Sequence, residues 1–263
     1  MKFTDQIGHT FNLDYFPKRI ISVVPSQTEL LYDLGLAEKV VGITKFCIHP
    51  KDWFKNKTRV GGTKDINIAK VSALKPDLII ANKEENTRAE IEALQKLYPV
   101  YTSDISNLSE SLEMITDIGK ITNTEAKSGW LTKNITLEFD QLSNKNFPQQ
   151  RTLYLIWKNP YMSINQHRFI SDMMQRCGFV NVINVDENYP ELTEQEIIAL
   201  NPDVILLASE PFPFQEKHSK DLQAICSNAT ILLVDGEYFS WYGSRLMAAP
   251  KYFIGLIEKR AYF

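Results

Sequence analysis

The chain has 263 residues, of which 44% are apolar and 23% charged, enough to bury one large core or two smaller ones. A net charge of −3 and a pI near 5.9, with no basic stripe, argue against nucleic-acid binding as the main task. No run approaches eighteen apolar residues, so no membrane span is expected. The scattered cysteines Cys47, Cys177 and Cys226 have no metal or redox spacing.

Residues 1–16 read as a hairpin turning at Gly8, with Phe3, Phe11 and Leu13 around it. No apolar leader or cleavage site is visible in Met1 to Ile20, so the chain as written is expected in the cytoplasm. An upstream leader would make it periplasmic. Arg19 to Val24 reads as a buried strand, then Ser26 and Glu29 fit a capping box for a helix that Gly35 ends. A strand at Val40–Ile43 and a loop from Phe46 to Pro50 follow.

The next stretch contains one half of a repeat. Leu74-Lys75-Pro76-Asp77-Leu78-Ile79-Ile80 returns about 126 residues later as Leu200-Asn201-Pro202-Asp203-Val204-Ile205-Leu206. Each copy follows a short amphipathic run. Pro breaks a helix, Asp favours a turn, and the aliphatic run suits a parallel strand covered on both faces. Two copies at one spacing imply two similar α/β lobes.

A helix over about 87–97 and a strand from Val100 close the first lobe. From Asn107 to Asn146 there is no proline, and apolar residues from Ala126 to Leu142 recur at helical spacing. A single rod of about 22 residues would reach ~33 Å, while two ordinary packed helices fit as well. Phe147-Pro148 stops the helix. The second lobe should hold a strand at 152–157, a helix at about 168–176 capped by Gly178, and the repeat with a Thr193/Glu196 capping box. A strand at 231–234, a loop from Asp235 to Arg245 and a final helix complete it. The division read is 1–106, 107–148 and 149–263.

In parallel sheets, loops at the carboxyl ends of strands line the ligand crevice. Here these loops hold Phe46, Trp157, Tyr161, Phe212, Phe214, Tyr238, Phe239, Trp241 and Tyr242, with Arg245 and several amides. Such rings suit a large, flat, partly apolar ligand, although any one of them could instead cap a core. His49 beside Cys47 lacks a ligand spacing and reads as a packed loop residue; no metal site is expected. His9 and His218 read as surface residues. No nucleophile elbow, phosphate loop or dinucleotide fingerprint is present, so no catalytic residue is assigned and no enzyme is expected. Cys47 with His49 is the one pair that an enzyme acting on the ligand could use.

Arg19-Ile20-Ile21-Ser22-Val23-Val24-Pro25-Ser26-Gln27-Thr28-Glu29, Val40-Val41-Gly42-Ile43-Thr44 and Val60-Gly61-Gly62-Thr63-Lys64 form, with the paired Leu-x-Pro-Asp segments, a recognisable set. With it, the chain resembles the ABC-transporter substrate-binding proteins of the cobalamin and Fe(III)-siderophore class. Ser240-Trp241-Tyr242-Gly243-Ser244-Arg245 resembles the C-terminal signature of its cobalamin-type, helical backbone metal receptor branch.

The resemblance implies two Rossmann-like lobes with parallel sheets, joined by a long rigid backbone helix and holding a metal chelate between them. It implies ligand loops at Gln27, Phe46, Thr63, Asn82, Trp157, Phe212, Trp241 and Arg245, to which the aromatic loops add Tyr161 and Tyr242. The chelate, cobalamin or a ferric siderophore, brings its own metal, so no intrinsic cofactor is implied. The partner would be an ABC permease and the protein a monomer. Family docking uses one glutamate on each lobe; the matching places are Ala69 and, in the second lobe, Gln195 between Glu194 and Glu196. Two cleft positions that are aromatic in a cobalamin binder of the family are Thr63 and Asn82 here. A cytoplasmic chelate handler or sensor, undocked from any transporter, is the alternative.

Overall fold

The computed structural model describes residues 1–260. Its contacts sort them into two units, each built on one parallel sheet. Met1–Ile105, Ser109–Ile135 and Trp241–Met247 form the first unit; Ser106–Leu108, Thr136–Ser240 and the residues from Ala248 form the second. This division interleaves the three contiguous stretches read from the sequence, because seven residues near the C-terminus return to the first unit.

The first unit opens with a hairpin of β1 (Lys2–Thr4) and β2 (Thr10–Asn12). Gly8 turns it at φ +81°, and Phe3 stacks on Phe11 with centroids 5.9 Å apart. Asp5 fixes the hairpin to the body, its carboxylate accepting from the backbone N–H of Ile7, His9 and Thr102. There follow β3 (Ile20–Ser22), α1 (Pro25–Asp33), β4 (Val40–Ile43), α2 (Lys51–Asn56) and β5 (Thr58–Arg59). Next come α3 (Ile68–Leu74), β6 (Leu78–Asn82), α4 (Arg88–Gln95) and β7 (Val100–Ser103). The strand order is β5-β4-β3-β6-β7, all parallel. The chain thus builds outward on one side of β3 and then crosses to the other, which places the topological switch between β3 and β6. All five residues of β6 are buried, as its continuous apolar run requires.

The expected Ser26/Glu29 capping box is absent. Val24 is the N-cap and makes no side-chain cap bond, Pro25 occupies the first turn, where its missing N–H costs nothing, and Glu29 points to another partner described below. The stretch between the sheets is two helices, α5 (Leu108–Thr122) and α6 (Glu125–Ser143), broken where Asn123 takes φ +58°. At 19 residues, α6 is roughly 28 Å long. Its residues up to Ile135 belong to the first unit and those from Thr136 to the second.

The second unit contains β8 (Gln150–Leu155), β9 (Tyr161–Met162), α7 (Phe169–Arg176), β10 (Phe179–Asn181) and β11 (Glu191–Leu192). After them come α8 (Glu194–Leu200), β12 (Val204–Ala208), α9 (Glu216–Ile225) and β13 (Thr230–Val234). Its main sheet runs β10-β8-β12-β13, again parallel. The residues expected as one loop from Asp235 to Arg245 instead form α10 (Glu237–Ser240) and enter a 3₁₀ turn at Ser244–Met247, before α11 (Ala249–Arg260). His218, read as a surface residue, is buried: its Nδ1 accepts from the Gln215 backbone N–H at the start of α9.

The repeat is one physical device used twice. Lys75 and Asn201, the residues before the prolines, end α3 and α8 in the left-handed region at φ +47° and +45°. Asp77 accepts from the backbone N–H of Lys18 and Arg19 at 2.9 and 2.8 Å, and Asp203 accepts from Arg151 N–H at 2.9 Å. Arg19 and Arg151 in turn donate to the Leu74 and Leu200 carbonyls that the helix ends leave open. Each motif therefore closes a helix and pins the start of the neighbouring strand, β3 or β8.

Candidate functional site

At the carboxyl end of the first unit's sheet the amide side chains brace the loops. Asn82 Nδ2 donates to Ser103 O and Oγ at 3.1 and 3.0 Å, and Gln27 Nε2 donates to the same hydroxyl. Asn82 Oδ1 accepts from the Glu84 and Glu85 backbone N–H, turning the chain sharply after β6. Asn86 Nδ2 donates to the carbonyls of Thr63 and Val23, at 2.8 and 3.2 Å. Gln27, Thr63 and Asn82, all expected in ligand loops, are buried; Gln27 and Asn82 tie loops through their side-chain amides, and Thr63 only through its main-chain carbonyl.

Phe46 is different. It is 52% exposed and lies against the Gly61-Gly62 turn, where a methyl on Gly62 would come within 3.2 Å of its ring. The Lys45 ammonium sits 5.2 Å from the ring centroid. Beneath the loop, Cys47 is fully buried, with Sγ 3.1 Å from both Thr28 and Thr44 Oγ1. Burial pushes its thiol up, away from the thiolate that an enzymatic role would need.

The returning residues Trp241–Met247 pack on α1. Arg245 donates to both oxygens of Glu29, at 3.0 and 2.7 Å, and its guanidinium lies 4.6 Å from the Trp241 ring centroid. The His49 ring meets Trp241 edge-on at 5.6 Å. Gly243, at φ +130°, has no Cβ to clash with the Ser26 carbonyl it faces. Trp241 and Tyr242 are consequently buried, at 6% and 5% exposure. Burial pushes the Glu29 carboxyl up, and the Arg245 pair opposes that shift. The pairing of Glu29 with Arg245 carried no sequence signal beyond two opposite charges 216 residues apart.

In the second unit, Trp157 leaves the end of β8 at 39% exposure and meets the half-buried Phe212 edge-on at 5.6 Å. Phe212 packs on Phe214 and His218, at 4.8 and 5.3 Å, so the exposed rings rest on a buried aromatic base. Tyr161 is buried in β9, with the Lys158 ammonium 5.9 Å from its ring. Tyr238 stacks on Tyr252, and Phe239 is enclosed by Tyr154 and Phe253.

Of the expected docking residues, Glu196 is committed to the capping box: its carboxylate accepts from Thr193 N and Oγ1, which holds it below the usual carboxylate range. Glu194 is exposed on the same first turn. The corresponding turn of α3 carries Ile68, Ala69 and Lys70. Among the described residues no three His, Cys, Asp or Glu side chains are grouped to hold a metal, and no helix is long and apolar enough to cross a membrane.

Residues 20–231 match the periplasmic binding protein family. The chain belongs to that family. It is 28% identical over 201 residues to an uncharacterized ABC transporter substrate-binding lipoprotein, YvrC, of Bacillus subtilis, covering 72% of this chain and 63% of that protein. The matched region thus spans less than two thirds of the lipoprotein. A vitamin B12-binding protein of Vibrio cholerae is 28% identical over 195 residues, 72% of this chain and 70% of its own. The crystal structure of the periplasmic vitamin B12 binding protein of V. cholerae superposes with a TM-score of 0.79 at 22% identity, over 93% of this chain and 98% of that one. The two-lobed α/β fold inferred from the repeat is therefore the fold of this family.

Proposed function

We propose that this chain is the substrate-binding component of an ABC importer and that its cargo is a metal chelate, a corrinoid or a ferric siderophore. The observation that carries this reading is the exposure of Phe46 and Trp157 at strand-end loops. Each sits on a carboxyl-end loop of a parallel sheet, where such folds receive ligands, while Asn82 and Asn86 at the carboxyl end of the first unit's sheet are buried and bonded to neighbouring loops. Rings held rigidly from below offer stacking surface at little entropic cost. Family membership favours transport over a cytoplasmic handling or sensing role, and the partner implied is a membrane permease. The chelate supplies its own metal, so the protein acts by binding rather than by chemistry. The buried, protonated Cys47 supports that assignment.

Calorimetric titration with cyanocobalamin and with a ferric trihydroxamate tests the reading. One of them should bind at one per chain, with Trp157→Ala and Phe46→Ala each weakening it about tenfold, the order expected for a lost aromatic contact. Binding unchanged in both variants would remove the loops from the site.

A further inference from the structure

We infer that the chelate carried by this chain has no net negative charge. The inference rests on the chelate-binding reading above and narrows its substrate class. Taking an anionic chelate out of water requires cations or aimed N–H donors to replace its hydration. The carboxyl-end loops of the first unit carry Lys45, Lys64 and Lys83 against Asp65, Glu84, Glu85 and Asp104. Lys83 is already held 2.5 Å from Asp104, and Lys45 lies over the Phe46 ring. Arg245, the guanidinium of the returning segment, is bound by both oxygens of Glu29. The first turn of α1, a natural place for an anion at a helix N-terminus, is covered: Ser26 and Gln27 are buried, and Gly243 lies against the Ser26 carbonyl.

The second unit repeats the pattern. Lys158, beside Trp157, is paired with Asp221 at 2.6 Å, while Glu210, Asp235 and Glu237 occupy the ends of the neighbouring strands. Acids therefore outnumber bases on the loops of both units, and the bases are mostly engaged within the protein. Each unit also exposes aromatic surface at these loops: Phe46 on the first, and Trp157 with the half-buried Phe212 on the second. On either unit, loops of this character hold a neutral or cationic chelate by stacking and repel a polyanionic one.

The test is equilibrium binding of the purified full chain to four chelates of different charge. Cyanocobalamin and a neutral ferric trihydroxamate form the uncharged pair, and a trianionic ferric tris-catecholate and haem, with its two propionates, form the anionic pair. The expected result is that an uncharged chelate binds at least about 100-fold more tightly than either anionic one. Its affinity should change less than about threefold between about 50 and 500 mM salt, because no charge pairing drives it. An anionic chelate binding as tightly as the uncharged pair, or more so, would overturn the inference and leave the chelate-binding reading standing. Absence of binding by all four would overturn both.

Discussion

Arg245 carries a full charge, and in this protein that charge is answered by Glu29. Both side chains are largely enclosed, so removing Arg245 takes from the buried Glu29 carboxylate the cation that binds both its oxygens. Arg245→Ala should cost about 2–4 kcal/mol at about pH 7.5. The pH dependence has a definite sign. Burial raises the Glu29 carboxyl above its unfolded value, so the folded state binds that proton more tightly. The contribution of this group to stability then falls as pH rises from the ordinary carboxylate range through the raised value. Losing Arg245 pushes the carboxyl up further, and the variant should recover part of its loss near pH 5. Urea midpoints at the two pH values measure this. Equal losses at both, or a Glu29→Gln/Arg245→Ala double variant that keeps the pH dependence, would show that Glu29 is not the group responsible. At this scale residue types are legible in the sequence, but their surroundings are not. Trp157 and Trp241 both lie in aromatic strand-end loops, yet only the first presents its ring to solvent. Packing of Trp241–Met247 on α1 makes the difference, with Gly243 allowing the close approach to the Ser26 carbonyl.

Among elements, the paired Leu-x-Pro-Asp segments were legible because several local signals agreed: a helix stop, a turn residue and a buried aliphatic run. The role of the aspartates was not, since each reaches the N–H groups of a strand more than fifty residues earlier. Asp77→Ala and Asp203→Ala should each cost about 1–2 kcal/mol, the worth of hydrogen bonds to a charged acceptor discounted for partial exposure. Lys75→Gly should stabilise by up to about 1 kcal/mol, because lysine holds a left-handed conformation there that glycine adopts freely. Asn201→Gly should gain less, asparagine being the better tolerated residue at positive φ. Denaturant unfolding of the four variants checks the order, and a destabilised Lys75→Gly would contradict this account of the turn. Short elements such as β9, β11 and α10 escaped the sequence reading because two to four residues carry no periodicity. The choice between one helix and two before the second unit was undecidable from spacing alone. It turned on the backbone of Asn123.

For the molecule as a whole, the two parallel-sheet units and the family are those of a binding protein, and we propose that its exposed strand-end aromatics take a chelate. A cargo bound at those loops can be counted directly, because these chelates are coloured. Equilibrium dialysis of the purified chain against cyanocobalamin and a neutral ferric trihydroxamate, followed by absorbance, is the most direct measurement. Saturation at one chelate per chain is expected for one of the two, reduced about tenfold in affinity by Trp157→Ala while the fold is retained. No retained colour, or colour retained equally by the variant, would contradict it.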